Sequence, residues 1–258
     1  MEYKKPIVKI VEKVDEKILL LNKGEILDDF VEVQYDGLTI FYCQRNPAGK
    51  LQGLGKYLYK DKLFSYCRIG YFIEGKLNGI GIQLPIDSSV QKSNTEHKIR
   101  WYKVGIWENN DLVKGFQWSY NYTTKNSTFT IGEMKREKKH GDVVHISLSH
   151  TKDSINLNAS LYETIKEFKI NYVCCGHFVD NLLCGKGKII NFEEKYMYTG
   201  NFKCTRYEGY GNLVYDDERL TYQGMFTNNK YNGFGKLCVN DINFSNLFYK
   251  TIQTNEVS

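Results

Sequence analysis

Tyr198-Thr-Gly200-Asn-Phe202, followed by Gly209-Tyr-Gly211, is repeated 24 residues later as Tyr222-Gln-Gly224-Met-Phe226, followed by Gly233-Phe-Gly235. Counted from the leading tyrosine, the matched offsets are 2, 4, 11 and 13 in both copies. Another 24 residues upstream, Cys174-Cys-Gly176-His-Phe178 precedes Gly185-Lys-Gly187 at the same offsets, and only the leading tyrosine is lost. Further upstream, Arg68-Ile-Gly70-Tyr-Phe72 with Gly79-Ile-Gly81 keeps all four positions. Lys103-x-Gly105-x-Trp107 leads to Gly115, read as the first glycine of its pair arriving one residue late, with the second missing. Thr130-x-Gly132-x-Met134 leads to Gly141, with Val143 in the second glycine's place. Gly53-x-Gly55 reads as the second half of a seventh unit whose first half has diverged within Val31 to Cys43. A fixed period of this kind marks a repeat architecture.

The residue types explain the period. In an extended strand Tyr198, Gly200 and Phe202 project to one face, because side chains alternate with period two. A glycine between two rings leaves a gap that a neighbouring ring can enter. The stretch Lys203 to Glu208 turns the chain, and Gly209 and Gly211 begin a return strand where close approach or positive φ is needed. Asp216-Asp217 supplies turn chemistry before the next unit. Each unit is one hairpin, and a lone hairpin is marginal in water, so stability must come from stacking on its neighbours.

Composition agrees. The 258 residues include 20 Tyr, 14 Phe and 22 Gly but only 3 Pro, with 41% hydrophobic and 25% charged residues. That balance fits a folded chain rich in strands. The net charge of +5 is modest and dispersed, which disfavours a nucleic-acid interface. The densest basic run, Lys135, Arg136, Lys138, Lys139 and His140, contains Glu137 and reads as a solvated hairpin tip. Met1 to Val11 has no apolar run of signal-peptide length, and no segment approaches the ~20 apolar residues of a membrane-spanning helix. The seven cysteines, an odd number without a C-x-x-C pair, read as reduced thiols in the cytoplasm. The Asn-x-Ser/Thr matches at Asn121, Asn126, Asn158 and Asn243 read as chance.

Residues 1–30 are expected to form an N-terminal β cap, 31–239 the repeat array and 240–258 a C-terminal capping tail. Two insertions interrupt the array, near 86–100 and 149–172. The first is polar and loop-like. The second carries Leu161, Ile165 and Phe168 at helical spacing behind Asn158, although Glu167 to Tyr172 could equally extend a strand. In the tail, Phe244, Leu247, Phe248 and Ile252 share one helical face, which predicts a short helix.

Several candidate sites dissolve on inspection. Gly70 to Lys76 has the glycine and lysine spacing of a phosphate loop, but Leu77 stands where Ser or Thr would hold magnesium. Cys174, Cys175, His177, Cys184 and Cys204 lack the ligand spacing of zinc motifs, and the two adjacent cysteines point to opposite faces of a strand. No histidine has a Ser or Cys partner in a recognisable motif. No catalytic residue, cofactor or metal site is expected.

The repeat resembles the MORN family (membrane occupation and recognition nexus), over roughly Gly53 to Val239 and most clearly over Cys174 to Val239. That resemblance implies an all-β fold, an elongated array of tandem antiparallel hairpins. It also implies a non-enzymatic cytoplasmic scaffold or adaptor, in cytoskeletal or ciliary assemblies. The expected partner is a protein segment, helical or extended, and the expected contact face is Tyr198, Phe202, Tyr222 and Phe226; if these rings are instead consumed in packing between repeats, the insertions or hairpin tips are left for the partner. Two alternatives follow from the family: a peripheral module binding anionic lipid, and a regulatory subunit of an enzyme on another chain.

Overall fold

The computed structural model describes residues 31–35, 39–45, 47, 51–60, 65–86, 99–121, 124–150, 168–215, 220–239 and 242–249. The expected cap at 1–30, the polar loop at 87–98 and the helical spacing at 158–167 lie outside the described residues. Every described element is a strand, and every described pairing is antiparallel between strands adjacent in the chain. This is the all-β hairpin array that the repeat predicts.

The contacts divide the chain into two compact units, Met1–Lys138 and Lys139–Ser258. The first holds β1 (Val31–Tyr35), β2 (Thr39–Arg45), β3 (Leu51–Lys60), β4 (Ser65–Ile73), β5 (Lys76–Pro85), β6 (Ile99–Glu108), β7 (Asp111–Asn121) and β8 (Asn126–Lys135). The second holds β9 (Lys138–His150), β10 (Phe168–Val179), β11 (Leu182–Asn191), β12 (Tyr196–Lys203), β13 (Arg206–Tyr215), β14 (Leu220–Thr227), β15 (Lys230–Val239) and β16 (Ile242–Tyr249).

The register places the repeat glycines opposite one another, within hairpins and between them. In the first unit Gly55 pairs Gly70, Gly70 pairs Gly81, Gly81 pairs Gly105, Gly105 pairs Gly115 and Gly115 pairs Gly132. In the second, Gly176, Gly187, Gly200, Gly211, Gly224 and Gly235 form an unbroken row. A Cβ at Gly211 or Gly235 would run into the ring of Tyr198 or Tyr222, well inside contact distance. The glycines are therefore the floor on which the tyrosine rings lie.

The same floor takes a second filler. The residue paired with the second aromatic of each hairpin is Tyr207 opposite Phe202 and Tyr231 opposite Phe226. There the leading residue is also tyrosine, and the two rings pack at 3.8 Å for Tyr198–Tyr207 and 4.1 Å for Tyr222–Tyr231. Where the leading residue is Arg68, Lys103 or Cys174, the paired residue is Leu77, Leu112 or Leu183. These leucines are buried, and their methyls approach the glycine floor that the tyrosine ring covers elsewhere. The loss of a leading tyrosine is thus matched within the same hairpin.

The hairpins turn on two residues that both have positive φ: Glu74-Gly75, Asn109-Asn110, Arg136-Glu137, Asp180-Asn181, Cys204-Thr205 and Asn228-Asn229. This is the primed turn whose twist matches that of paired strands, and it is tighter than the Lys203 to Glu208 span read from sequence. Its second residue grips the preceding hairpin. The amide of Tyr207 donates to Asn229 Oδ1 at 2.7 Å, and the amide of Asn229 donates to the Tyr207 carbonyl at 3.2 Å. The same two-bond clamp joins Asn110 to Leu77, Asn181 to Lys139 and Thr205 to Leu183.

Three details differ from the sequence reading. Gly115 is the second glycine of its pair, because it faces Gly105. The bulge of β7 is one residue shorter than in the regular hairpins, so the glycine that was lost is the positive-φ one. The first half of the degraded unit is Phe41-Tyr-Cys43-Gln-Arg45, with Phe41 opposite Tyr57 and Cys43 opposite Gly55. The tail from Ile242 to Tyr249 is strand rather than helix: Phe244 pairs Leu237 and Phe248 pairs Phe234. The outer edge of β15 carries a row of backbone donors and acceptors, and a segment rich in Phe, Tyr and Ile satisfies them by pairing.

Two substitutions test the glycine floor. Gly233 has φ of 72° and no atom within 4 Å of an added Cβ, so Gly233→Ala should cost about 1–2 kcal/mol through backbone strain alone. Gly233→Asn should recover most of that loss. Gly235→Ala must displace Tyr222 and should cost roughly 3 kcal/mol or more. Denaturant unfolding measures all three, and equal costs at the two glycines would refute the division of roles. For the clamp, Asn229→Gly keeps a residue suited to positive φ but removes the side-chain acceptor. It should destabilise by about 1 kcal/mol, whereas a gain in stability would mean the turn alone matters.

Candidate functional site

The second unit concentrates its rings on the glycine face. Phe226 meets Tyr198 and Tyr222 edge-on with centroids 5.1 and 5.2 Å apart, so one ring joins two successive repeats. The hydroxyls of Tyr198 and Tyr222 donate to the carbonyls of Asn201 and Met225, each at 3.1 Å. Burial pushes the Tyr198 phenol up to about 12. Tyr198, Phe202, Tyr222 and Phe226, the expected contact face, are at most 4% exposed. Of the two roles the sequence left open for these rings, the structure places them in packing between repeats. Stacking hairpins must bury their rings against one another, so these four are core, and they offer no surface to a partner in this structure.

Besides Ile170, Val179, Leu182 and Phe192, the second unit exposes three large apolar side chains on the opposite face of its later strands. Tyr210, between the paired glycines of β13, is 55% exposed; Met225 is 42% exposed and Phe234 64%. Tyr210 and Met225 are direct cross-strand partners. These are large apolar side chains left exposed on neighbouring strands. Toward β9 the equivalent positions become polar, with Asp142 opposite His177 and Lys186 opposite Asn201. The sequence carried this signal at the residue between the paired glycines (Tyr210, Phe234) and at the one between the first-strand glycine and its second ring (Met225), positions the repeat leaves unconstrained.

In the first unit the leading-residue row is polar. Tyr57 pairs Arg68, Arg68 pairs Gln83, Gln83 pairs Lys103, Lys103 pairs Gln117 and Gln117 pairs Thr130. Gln83, Lys103 and Thr130 are buried. Lys103 Nζ pairs with Glu137, a turn residue. The Arg68 guanidinium lies 4.9 Å from the centroid of the Tyr66 ring. The second unit fills the corresponding row with Cys174, Ile189, Tyr198, Leu213 and Tyr222.

The remaining candidates take structural positions. Gly70 to Ile73 ends β4, Glu74-Gly75 is the turn and Lys76 opens β5, so the phosphate-loop spacing is a hairpin with no helix behind it. Cys174 is buried, Cys175 and Cys184 are half-buried and Cys204 is exposed in a turn. Among the described residues no cluster of His, Cys, Asp and Glu is arranged to hold a metal ion. Burial pushes the Cys174 thiol up and Cys67 up to about 11, which keeps both protonated and unreactive. Exposed Lys135, Arg136 and Lys138 stand at the turn between β8 and β9. Among the described residues no helix is long and apolar enough to cross a membrane.

The MORN repeat family model matches residues 48–63, 174–190, 198–218 and 222–240. The chain carries MORN repeats. The hairpins led by Arg68, Lys103 and Thr130 lie outside those stretches, yet they continue the same glycine register. A comparison with curated proteins gives no match. MORN repeats point to a repeat scaffold or a membrane-associated module.

His145 sits opposite Cys174 in the second unit. Burial, reinforced by Lys139, pushes its imidazole down from 6.5 to about 4. The unfolded chain therefore binds the proton more readily, and stability falls as pH drops below about 6.5. The melting temperature should decline between pH ~6.5 and ~5, above the range where most carboxylates titrate. His145→Gln should flatten that limb. An unchanged slope in the variant would mean that other groups set the acid sensitivity.

Proposed function

We propose that this chain is a non-catalytic scaffold that binds protein partners through the outer face of its second unit. The observation that carries this reading is the exposed row Tyr210, Met225 and Phe234 on strands whose other face is locked in repeat-to-repeat packing. A rigid sheet presenting aligned apolar anchors suits capture of a helix or extended segment. The MORN resemblance supports placing the scaffold in the cytoplasm, within a cytoskeletal or ciliary assembly.

The alternative, peripheral association with anionic lipid, draws on the family resemblance and on exposed Lys135, Arg136 and Lys138 at one turn. Residue-directed cross-linking in cells separates the two. With a photo-reactive group at position 225, the scaffold reading expects a discrete set of protein adducts. These should disappear when Tyr210 and Phe234 are changed to Ser, with the melting temperature unchanged because exposed positions contribute little to stability. Absence of protein adducts, together with salt-sensitive binding to phosphatidylserine vesicles lost in Lys135→Glu/Arg136→Glu, would overturn it in favour of the lipid reading.

A further inference from the structure

The outer face of β11 to β15 carries charge of almost one sign. By alternation with the floor residues, six cations stand at outward positions: Lys186 and Lys188 on β11, Lys203 on β12, Arg206 on β13, and Lys230 and Lys236 on β15. Lys188 is half-buried and the others are exposed. Among the described residues none of the six forms an ion pair. The single carboxylate on these strands is Glu208, and it already accepts from the amide of Asn228 at 3.2 Å. The other described carboxylates of the unit lie elsewhere. Asp142 and Asp180 stand beside His177 and His140, and Glu193 and Glu194 occupy the turn at the far end of β11.

These cations frame the apolar row. Lys186 pairs Asn201, next to Tyr210, Met225 and Phe234. Two residues along the strands, Lys188, Thr199, Asn212, Gln223 and Lys236 stand in direct register, a lysine at each end with neutral side chains between. An outward strand position accepts either sign, so repeat stacking does not account for the missing carboxylates. We propose that this face receives an acidic amphipathic helix of a protein partner. Its apolar residues lie over Tyr210, Met225 and Phe234, and its carboxylates face Lys188 and Lys236. This partner presupposes the scaffold reading and adds the chemistry of the bound segment. Strand spacing selects the helix. Neighbouring strands lie about 4.8 Å apart, close to the ~5.4 Å of one helical turn. A helix crossing the strands therefore sets residues i, i+3 or i+4, and i+7 over three successive anchors. An extended segment repeats each face every ~6.7 Å and falls out of step. A bilayer fits less well, because Asn212 and Gln223 flank Tyr210 and Met225 along the strands. Sinking the apolar row into acyl chains would carry these amides with it.

The probe is a fluorescein-labelled helical peptide with leucines on one face and glutamates on both flanks, titrated into the full chain by polarisation. A copy with glutamine for every glutamate is the control. The glutamate peptide should bind about tenfold more tightly than the glutamine peptide, and added salt should narrow the gap. Lys188→Glu/Lys236→Glu should abolish that preference, and a lysine-flanked peptide should then bind the variant better than the glutamate peptide does. Tyr210→Ser/Phe234→Ser should weaken both original peptides, and Lys135→Glu/Arg136→Glu, off this face, should leave the preference intact. Melting temperatures should not change, because the altered side chains are on the surface. Equal or absent binding of the two peptides, or a preference unchanged in Lys188→Glu/Lys236→Glu, would overturn the acidic helix. Absent peptide binding with phosphatidylserine vesicles held through Lys188 and Lys236 would give the face to the membrane instead. Adducts at position 225 that persist unchanged in Lys188→Glu/Lys236→Glu would leave the scaffold reading standing and remove only its acidic partner.

Discussion

Everything in this protein depends on glycine facing glycine across each strand pair. Where Gly200 meets Gly211 and Gly224 meets Gly235, the absent side chains leave room for a ring to lie flat on the backbone. That ring then offers its edge and face to the next hairpin, which is how Phe226 comes to touch both Tyr198 and Tyr222. A hairpin alone buries too little to persist. Here the burial is supplied by the neighbour, and the glycine floor makes the neighbour's approach possible. A single methyl group on the crowded floor therefore disturbs more than its own repeat.

The two units use one backbone solution with two chemistries. In the second, tyrosine pairs cover the floor of two hairpins, Leu183 covers it in the hairpin led by Cys174, and the leading row is apolar throughout. In the first, Leu77 and Leu112 take over the covering role, which frees the leading position for Arg68 and Lys103. The exchange uncouples stability from identity at that position. What resembles decay of the repeat is a change of occupant, because the leucine accompanies each loss of the tyrosine at Arg68, Lys103 and Cys174.

Much of the fold was legible because the repeat is written in residues with strong geometric demands. The glycines and rings of Cys174 to Val239 fixed strand, turn and register together. The sequence was less informative where a demand could be met in more than one way. Gly115 looked late because a shortened bulge moves the surviving glycine by one place. The tail from Ile242 to Tyr249 spaces Phe244, Leu247 and Phe248 as a helix would, and only the unpaired edge of β15 decides for strand. The candidate site was the least legible part. Tyr198, Phe202, Tyr222 and Phe226 are conspicuous because they recur, and they recur because they pack. The exposed row and the lysines that frame it sit at positions the repeat does not prescribe, so nothing in the period marks them.

The turn clamp also gives the array a direction. Each described clamp runs backward along the chain, from a turn whose residues hold positive φ to the backbone of the hairpin before it. Cutting behind a hairpin leaves an ordinary strand edge that water can solvate. Cutting ahead of one strands a high-energy turn without its support. Within each unit the hairpins thus overlap like tiles. Taking one away from the amino-terminal side leaves the next turn without its prop, whereas taking one away from the carboxy-terminal side leaves every remaining clamp intact.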